Sequence, residues 1–155
     1  MRPVLTRVKS ASVVIDGKVN GQIGRGFLIL RGVGPNDTEK ECRYLAEKAL
    51  GLRIFTDEND KMNLGLADIG GQVLVVSQFT LYGNCRKGRR PSFTEAAGPE
   101  LGNELYEKFL QYCAELGYPP QHGEFGADMA VESINDGPVT LILDTQQLLE
   151  EPRRK

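Results

Sequence analysis

The chain has 155 residues, the length of one ordinary domain. With 40% hydrophobic and 26% charged residues its composition is globular, which excludes an intrinsically disordered chain. Lys and Arg total 19 against 21 Asp and Glu, a formal charge of −2, so a surface that meets nucleic acid has to be a local basic patch.

The opening Met1-Arg2-Pro3-Val4-Leu5 alternates like a strand rather than a signal peptide. Val4, Thr6, Val8 and Ser10 continue the alternation, and Val13-Val14-Ile15 follows. Asp16-Gly17 before Lys18-Val19 predicts a hairpin, because a type I′ turn needs positive φ at both central residues. Gly24 to Val33 reads as a strand buried on both faces, ended by Gly34-Pro35-Asn36. Thr38 with Glu41 forms a capping box, and Cys42, Leu45, Ala46, Ala49 and Leu50 give the helix behind it one apolar face. Arg53 to Thr56 is a short strand, Asp57 to Asp60 a polar turn, and Gln72 to Leu81 the most β-prone run. Tyr82 to Gly98 is irregular. Pro99 suits the first turn of a second helix, whose apolar face is Leu101, Leu105, Phe109, Tyr112, Cys113 and Leu116, stopped at Gly117-Tyr118-Pro119-Pro120. Phe125 to Ile134 and Val139 to Leu143 are strands with a break at Asn135-Asp136-Gly137-Pro138, and Gln146 to Lys155 is a polar, frayed tail. This order implies one mixed α/β domain with helices covering a twisted sheet.

Few residues offer side-chain chemistry. His122, the only histidine, follows a double proline in a polar stretch and reads as a solvated loop residue rather than a general base. Cys42 and Cys113 fall on apolar helix faces, where cysteine packs as a small hydrophobe; Cys85 sits among cations. An odd cysteine count without CxxC spacing argues against a disulfide framework or zinc site and for a reducing cytoplasm. No apolar run of about 18 residues suggests a membrane span. Gly21, Gly24 and Gly26 precede a strand instead of bridging strand to helix, so they read as close strand packing, not a phosphate loop. Arg86, Lys87, Arg89 and Arg90 fit a phosphate-contacting loop and a solvated loop equally well.

Two segments carry more. Ser77-Gln78-Phe79-Thr80-Leu81 puts two hydroxyls and an amide at the end of an apolar strand, where buried polar groups need partners. Ser77 and Thr80 have opposite strand parity, so a bend is required to turn both toward one pocket. Asn135-Asp136-Gly137-Pro138-Val139-Thr140 puts a proline where a strand resumes, and a Gly-Pro turn presents backbone carbonyls with almost no side chain, which suits steric selection on a small ligand.

Together, in this order and spacing, the two segments resemble the paired signature motifs of the D-aminoacyl-tRNA deacylases. The resemblance runs from Val4-Leu5-Thr6-Arg7-Val8 to Leu143, through Arg53-Ile54-Phe55, Lys61-Met62-Asn63-Leu64, Arg90-Pro91-Ser92-Phe93 and Ala127-Asp128-Met129. It implies one domain over residues 1–145 with a polar tail at 146–155, folded as a mostly antiparallel, barrel-like sheet covered by two helices. It implies a cytoplasmic homodimer that hydrolyses the ester of D-aminoacyl-tRNA, and of glycine misattached to alanine tRNA, without cofactor or metal and without membrane or DNA as a partner. Gly137-Pro138 would be cis and enter the partner subunit's pocket, where its carbonyls clash with an L side chain, so that selectivity comes from rejecting L. Arg7 would hold that turn. The backbone N–H groups of Phe79 and Thr80 would bind the oxyanion, Ser77 and Gln78 would shape the pocket near the 3′ adenosine, and Met129 would line it. The terminal 2′-OH of the tRNA would assist in place of a protein nucleophile; the alternative makes Thr80 the nucleophile, although it lacks an obvious base. Arg86, Lys87, Arg89 and Arg90 become acceptor-stem contacts by their charge, not by motif. A relative with a trans Gly-Pro that clears L-alanine and a tRNA-binding module without catalysis are the competing readings.

Overall fold

The computed structural model describes residues 1–150. Strand β1 (Arg2–Ile15) turns back at Asp16 and Gly17, whose φ values of 51° and 76° are those the predicted hairpin needs, into β2 (Lys18–Ile23). After a two-residue interruption β3 (Gly26–Gly32) continues along the same edge of β1, with one constant offset from Val13↔Gly21 through Val8↔Gly26 to Arg2↔Gly32. Helix α1 (Glu39–Leu50) starts on the Thr38–Glu41 capping box, with Thr38 N–H donating to Glu41 Oε2 at 2.7 Å, and buries the five apolar residues the sequence pattern names. A small hairpin follows, β4 (Phe55–Thr56) and β5 (Met62–Leu64), and then the one-turn helix α2 (Leu66–Ile69).

Strand β6 (Gln72–Ser77) lies parallel to β3, α3 (Pro99–Glu115) crosses over, and β7 (Gln121–His122) pairs parallel to β6. The last strand, β8 (Ala130–Ile142), runs antiparallel to β1. The sheet order is β2-β1-β3-β6-β7, with β8 on the other edge of β1. The ends of that order approach each other: Asn20 Nδ2 donates to the His122 carbonyl at 2.6 Å, so the sheet curls into a nearly closed barrel. Two glycines permit close strand approaches, Gly21 at this closure and Gly26 between β3 and β6. A Cβ on Gly21 would sit 3.0 Å from the His122 carbonyl, and one on Gly26 would overlap the Gln72 carbonyl, so the glycine run serves strand packing.

Side chains alternate between two cores. Phe27, Ile29, Val73 and Val75 pack under α1 and α3, while Leu28, Leu74 and Val76 fill the barrel with Val8, Val13 and Ile23. Tyr106, absent from the predicted face of α3, is 1% exposed, whereas Leu116 at its end is 43% exposed. Arg31 is buried in the helix-side core and donates Nη2 to the Leu105 carbonyl at 2.7 Å with its guanidinium 4.6 Å from the Phe109 ring centre.

Four sequence readings change. Residues 123–129 are irregular, and β8 begins at Ala130 rather than Phe125. The break at Asn135–Pro138 is a bulge inside one long strand. His122 belongs to β7 rather than a loop, because tertiary contact with β6 and β2 makes a strand too short to be seen by periodicity. The tail begins as helix α4 (Thr145–Glu150) rather than frayed chain, with Thr145 N–H bonded to the Met1 carbonyl at 2.9 Å; the rest of the expected tail, 151–155, lies outside the described residues.

Candidate functional site

At the C-terminal end of β6 the pairing stops with Arg31↔Ser77. Gln78 N–H still donates to the Arg31 carbonyl at 2.8 Å, but its φ of −146° and ψ of 88° redirect the chain into a single 3₁₀ turn, Phe79–Tyr82. This is the bend that the opposite parity of Ser77 and Thr80 demands. The first bond of the turn runs from Leu81 N–H to the Gln78 carbonyl (3.3 Å), and Gly83 N–H closes it on the Thr80 carbonyl (2.9 Å). Opening a helical turn, the Phe79 and Thr80 N–H groups have no acceptor one turn earlier.

Ser77, Gln78, Phe79 and Thr80 together form one side of a cavity of about 480 Å³. Phe93 bounds it from the loop that follows, and Phe125 and Met129 from the irregular segment before β8. That segment is built onto β6. Tyr106 Oη donates to the Val75 carbonyl at 3.0 Å and lies 3.3 Å from the Gly123 carbonyl, and burial pushes its phenol pKa up, which keeps the donor proton in place. Phe125 packs on the Tyr106 ring, 6.3 Å between centres, and Met129 Sδ occupies the space a Cβ on Gly123 would need. Met129 thus stands in the cavity wall, and Tyr106 and Phe125 join it through contacts between distant parts of the chain that no local sequence pattern shows.

The cavity has amide donors and apolar walls but no nucleophile–base pair. The Thr80 hydroxyl accepts from Gln78 Nε2 at 3.1 Å, and among the described residues no hydrogen bond joins it to an acidic or basic side chain. His122 is outside the cavity, with Nδ1 2.7 Å from the Gly123 carbonyl. Burial pushes the Cys42 thiol up to about 11 and that of Cys113 to about 12, so both stay protonated and unreactive; Cys85 is exposed in the basic loop. Among the described residues no three His, Cys, Asp or Glu side chains are grouped to hold a metal, and no helix is long and apolar enough to cross a membrane.

The second motif is a bulge in β8. Thr6 pairs with Thr140 and Val8 with Asn135, so Asp136, Gly137, Pro138 and Val139 all stand opposite Arg7 alone. Asn135 closes the bulge, its Oδ1 accepting from Val139 N–H at 2.8 Å and its Nδ2 donating to Thr140 Oγ1 at 2.9 Å. Arg7, 7% exposed, reaches across, donating Nε to the Asp136 carbonyl at 2.9 Å and Nη1 to the Ile54 carbonyl at 2.6 Å. The Gly137–Pro138 peptide is cis, and Gly137 has a φ of 134° with its Cβ position 2.9 Å from Arg7 Nη2, so glycine is required on both counts. The structure does not bring this motif to the cavity of its own chain: the two are separated by β1 and β3, and neither Gly137 nor Pro138 lines the space.

The basic loop lies closer. Asn84 and Ser92 exchange two backbone hydrogen bonds of 2.7 and 2.9 Å, pinning the loop at its base. Arg86, Lys87, Arg89 and Arg90 are exposed beyond that pin, and the residue after it, Phe93, enters the cavity wall. The cations thus belong to the loop that leads into Phe93.

A family model described as D-Tyr-tRNA(Tyr) deacylase matches residues 4–144. The D-aminoacyl-tRNA deacylase of Desulfatibacillum aliphaticivorans is 58% identical over 146 residues, covering 94% of this chain and all of that protein. The protein of the same name from Thermosipho africanus (strain TCF52B) is 54% identical over 148 residues, covering 96% of this chain and 99% of its own. A solved structure described as c-Myc DNA Unwinding Element Binding Protein superposes with a TM-score of 0.86 at 39% identity, covering 93% of this chain and 98% of that one. A probable eukaryotic D-amino acid tRNA deacylase shares the fold with a TM-score of 0.77 at 20% identity, covering 92% and 97%.

Proposed function

The chain belongs to the D-Tyr-tRNA(Tyr) deacylase family, a family of hydrolases, and from that premise we propose that it is an editing enzyme that cleaves the ester of D-aminoacyl-tRNA to free tRNA and amino acid. The observation that carries the reading is the cavity beneath the Phe79–Tyr82 turn, where the Phe79 and Thr80 amides open the turn and where, among the described residues, the Thr80 hydroxyl has no acidic or basic hydrogen-bond partner.

The terminal adenosine and its aminoacyl group enter this cavity. The Phe79 and Thr80 N–H groups take the charge that develops on the carbonyl oxygen, and Ser77 and Gln78 position the ribose end. Water adds to the carbonyl carbon, the bond to the 3′ oxygen breaks, and the neighbouring 2′-OH relays the water's proton to that leaving oxygen. Gln78 already occupies the Thr80 hydroxyl, which supports this reading over attack by Thr80.

Chiral choice comes from a second copy of the chain. Each subunit inserts its Gly137–Pro138 bulge into the other's cavity, where the carbonyls exclude an L side chain while D-amino acids and glycine, including glycine on alanine tRNA, are accepted. Two observations support a homodimer. Among the described residues β8 pairs only with β1, leaving its outer edge open, and Ile134 and Ile142 on that strand are 56% and 69% exposed. Arg86, Lys87, Arg89 and Arg90 take the phosphates of the acceptor stem in this cytoplasmic assembly.

The mechanism is tested with D-Tyr-tRNA ending in 2′-deoxyadenosine. Turnover falls by orders of magnitude relative to the ribose substrate if the 2′-OH relays the proton. Equal rates on both would require a protein base and would return the role to Thr80.

A further inference from the structure

We propose that Phe93 is a positioning residue that fixes the Phe79–Tyr82 turn and so orients the two amide donors; the role rests on the deacylase reading of the cavity. A 3₁₀ turn has poorer hydrogen-bond geometry than an α-helix and depends on side chains to hold it. Its far end is held independently. The Tyr82 ring lies under the Arg2 guanidinium at 4.5 Å and against Gly32 and Gly34, where Cβ atoms would come within 3.1 Å of it. Its near end is Phe79, 54% exposed, whose ring meets Phe93 edge to face with centres 5.3 Å apart and planes at 77°. Phe93 also fills the space beside Gly83: a Cβ there would lie 3.0 Å from Phe93 Cε1 and 2.9 Å from the Thr80 carbonyl. One ring therefore touches the first residue of the turn and the residue that closes it.

Phe93 can serve as a brace because its own backbone is fixed. The Asn84–Ser92 bonds hold it on one side, Ala96 N–H donates to its carbonyl at 3.2 Å, and Ala97 N–H ties the next residues to the Val33 carbonyl at 2.9 Å. A side chain that only walled the cavity would change how tightly substrate binds. A brace on the oxyanion donors changes the chemical step, because a misplaced donor loses transition-state stabilisation.

The test is steady-state deacylation of D-Tyr-tRNA by the full-length wild type, Phe93→Leu, Phe93→Met, Phe93→Tyr, Phe79→Leu and the Phe79→Leu/Phe93→Leu pair, each checked for its thermal midpoint. Leu and Met keep the apolar volume and lose the ring edge, so kcat falls roughly three- to tenfold with KM within about twofold. Tyr restores kcat, since the ring is 37% exposed and its hydroxyl reaches water. The double variant loses less than the two single losses combined, because either single variant already breaks the Phe79–Phe93 contact. A rise in KM with kcat intact, wild-type kinetics for both Leu and Met, or additive losses in the double variant would overturn the role. An inactive wild type would overturn the deacylase reading and this role with it, whereas an active wild type with an indifferent Phe93 counts against this role alone.

Discussion

Replacing Arg7 by Met removes the side chain that reaches the β8 bulge from β1 while keeping most of its apolar stem. The guanidinium makes two bonds to backbone carbonyls, 2.6 Å to Ile54 and 2.9 Å to Asp136, from a position 7% exposed. Hydrogen bonds to charged groups contribute about 1.5–3 kcal/mol each, and water reaches the Asp136 side of the bulge more easily than Ile54, so a loss of about 3 kcal/mol is expected. With a urea slope of about 1–3 kcal/mol/M, the unfolding midpoint falls by roughly 1–3 M at fixed protein concentration. Arg7→Lys falls between, because one ammonium cannot meet two carbonyls that the planar fork reaches together. Both variants, and Gly137→Ala, whose Cβ would press on Arg7 Nη2 and Val139 Cγ2 at 2.9 Å, release the Gly-Pro turn and lower the ratio of D-Tyr-tRNA to L-Tyr-tRNA hydrolysis. Arg7→Met with an unchanged midpoint and an unchanged ratio would refute the view that Arg7 sets the bulge.

Thr80→Ala loses only the bond from Gln78 and should retain kcat within about threefold; loss of all turnover in a folded variant would make Thr80 the nucleophile. Neutralising Arg86, Lys87, Arg89 and Arg90 to Ala should raise KM and flatten the dependence of log KM on log salt, with kcat little changed, since each phosphate contact contributes about one to that slope. Of the three cysteines, Cys85 alone should react with iodoacetamide at pH 8. The thiols of Cys42 and Cys113 are raised on folding from 9.0 to about 11 and about 12, so their contribution to stability is complete below pH 9 and is lost as pH rises toward those values.

Local signals were the readable ones. The Asp16–Gly17 turn, the Thr38–Glu41 box and the apolar face of α1 each depend on residues within a few positions of one another, and all appear as read. The first motif was readable to the level of a required bend, because the parity of Ser77 and Thr80 is a local property. What closes the barrel was not: β7 has two residues and exists because Asn20, Gly21 and Val75 meet it from elsewhere in the chain. The same holds for the cavity's far wall. Tyr106 looks like one more helix residue until its hydroxyl is seen on Val75 and Gly123, and Phe93 looks like the end of a basic loop until its ring meets Phe79 edge to face. Arg31 breaks an otherwise apolar strand, and only the helices packed above it supply its acceptor in Leu105.

Chiral editing is tested most directly by incubating purified protein with D-Tyr-tRNA and L-Tyr-tRNA in parallel and following loss of each ester. Rapid loss of the D ester with the L ester spared is the expected result. Loss of neither by folded protein, or loss of both at similar rates, would contradict it.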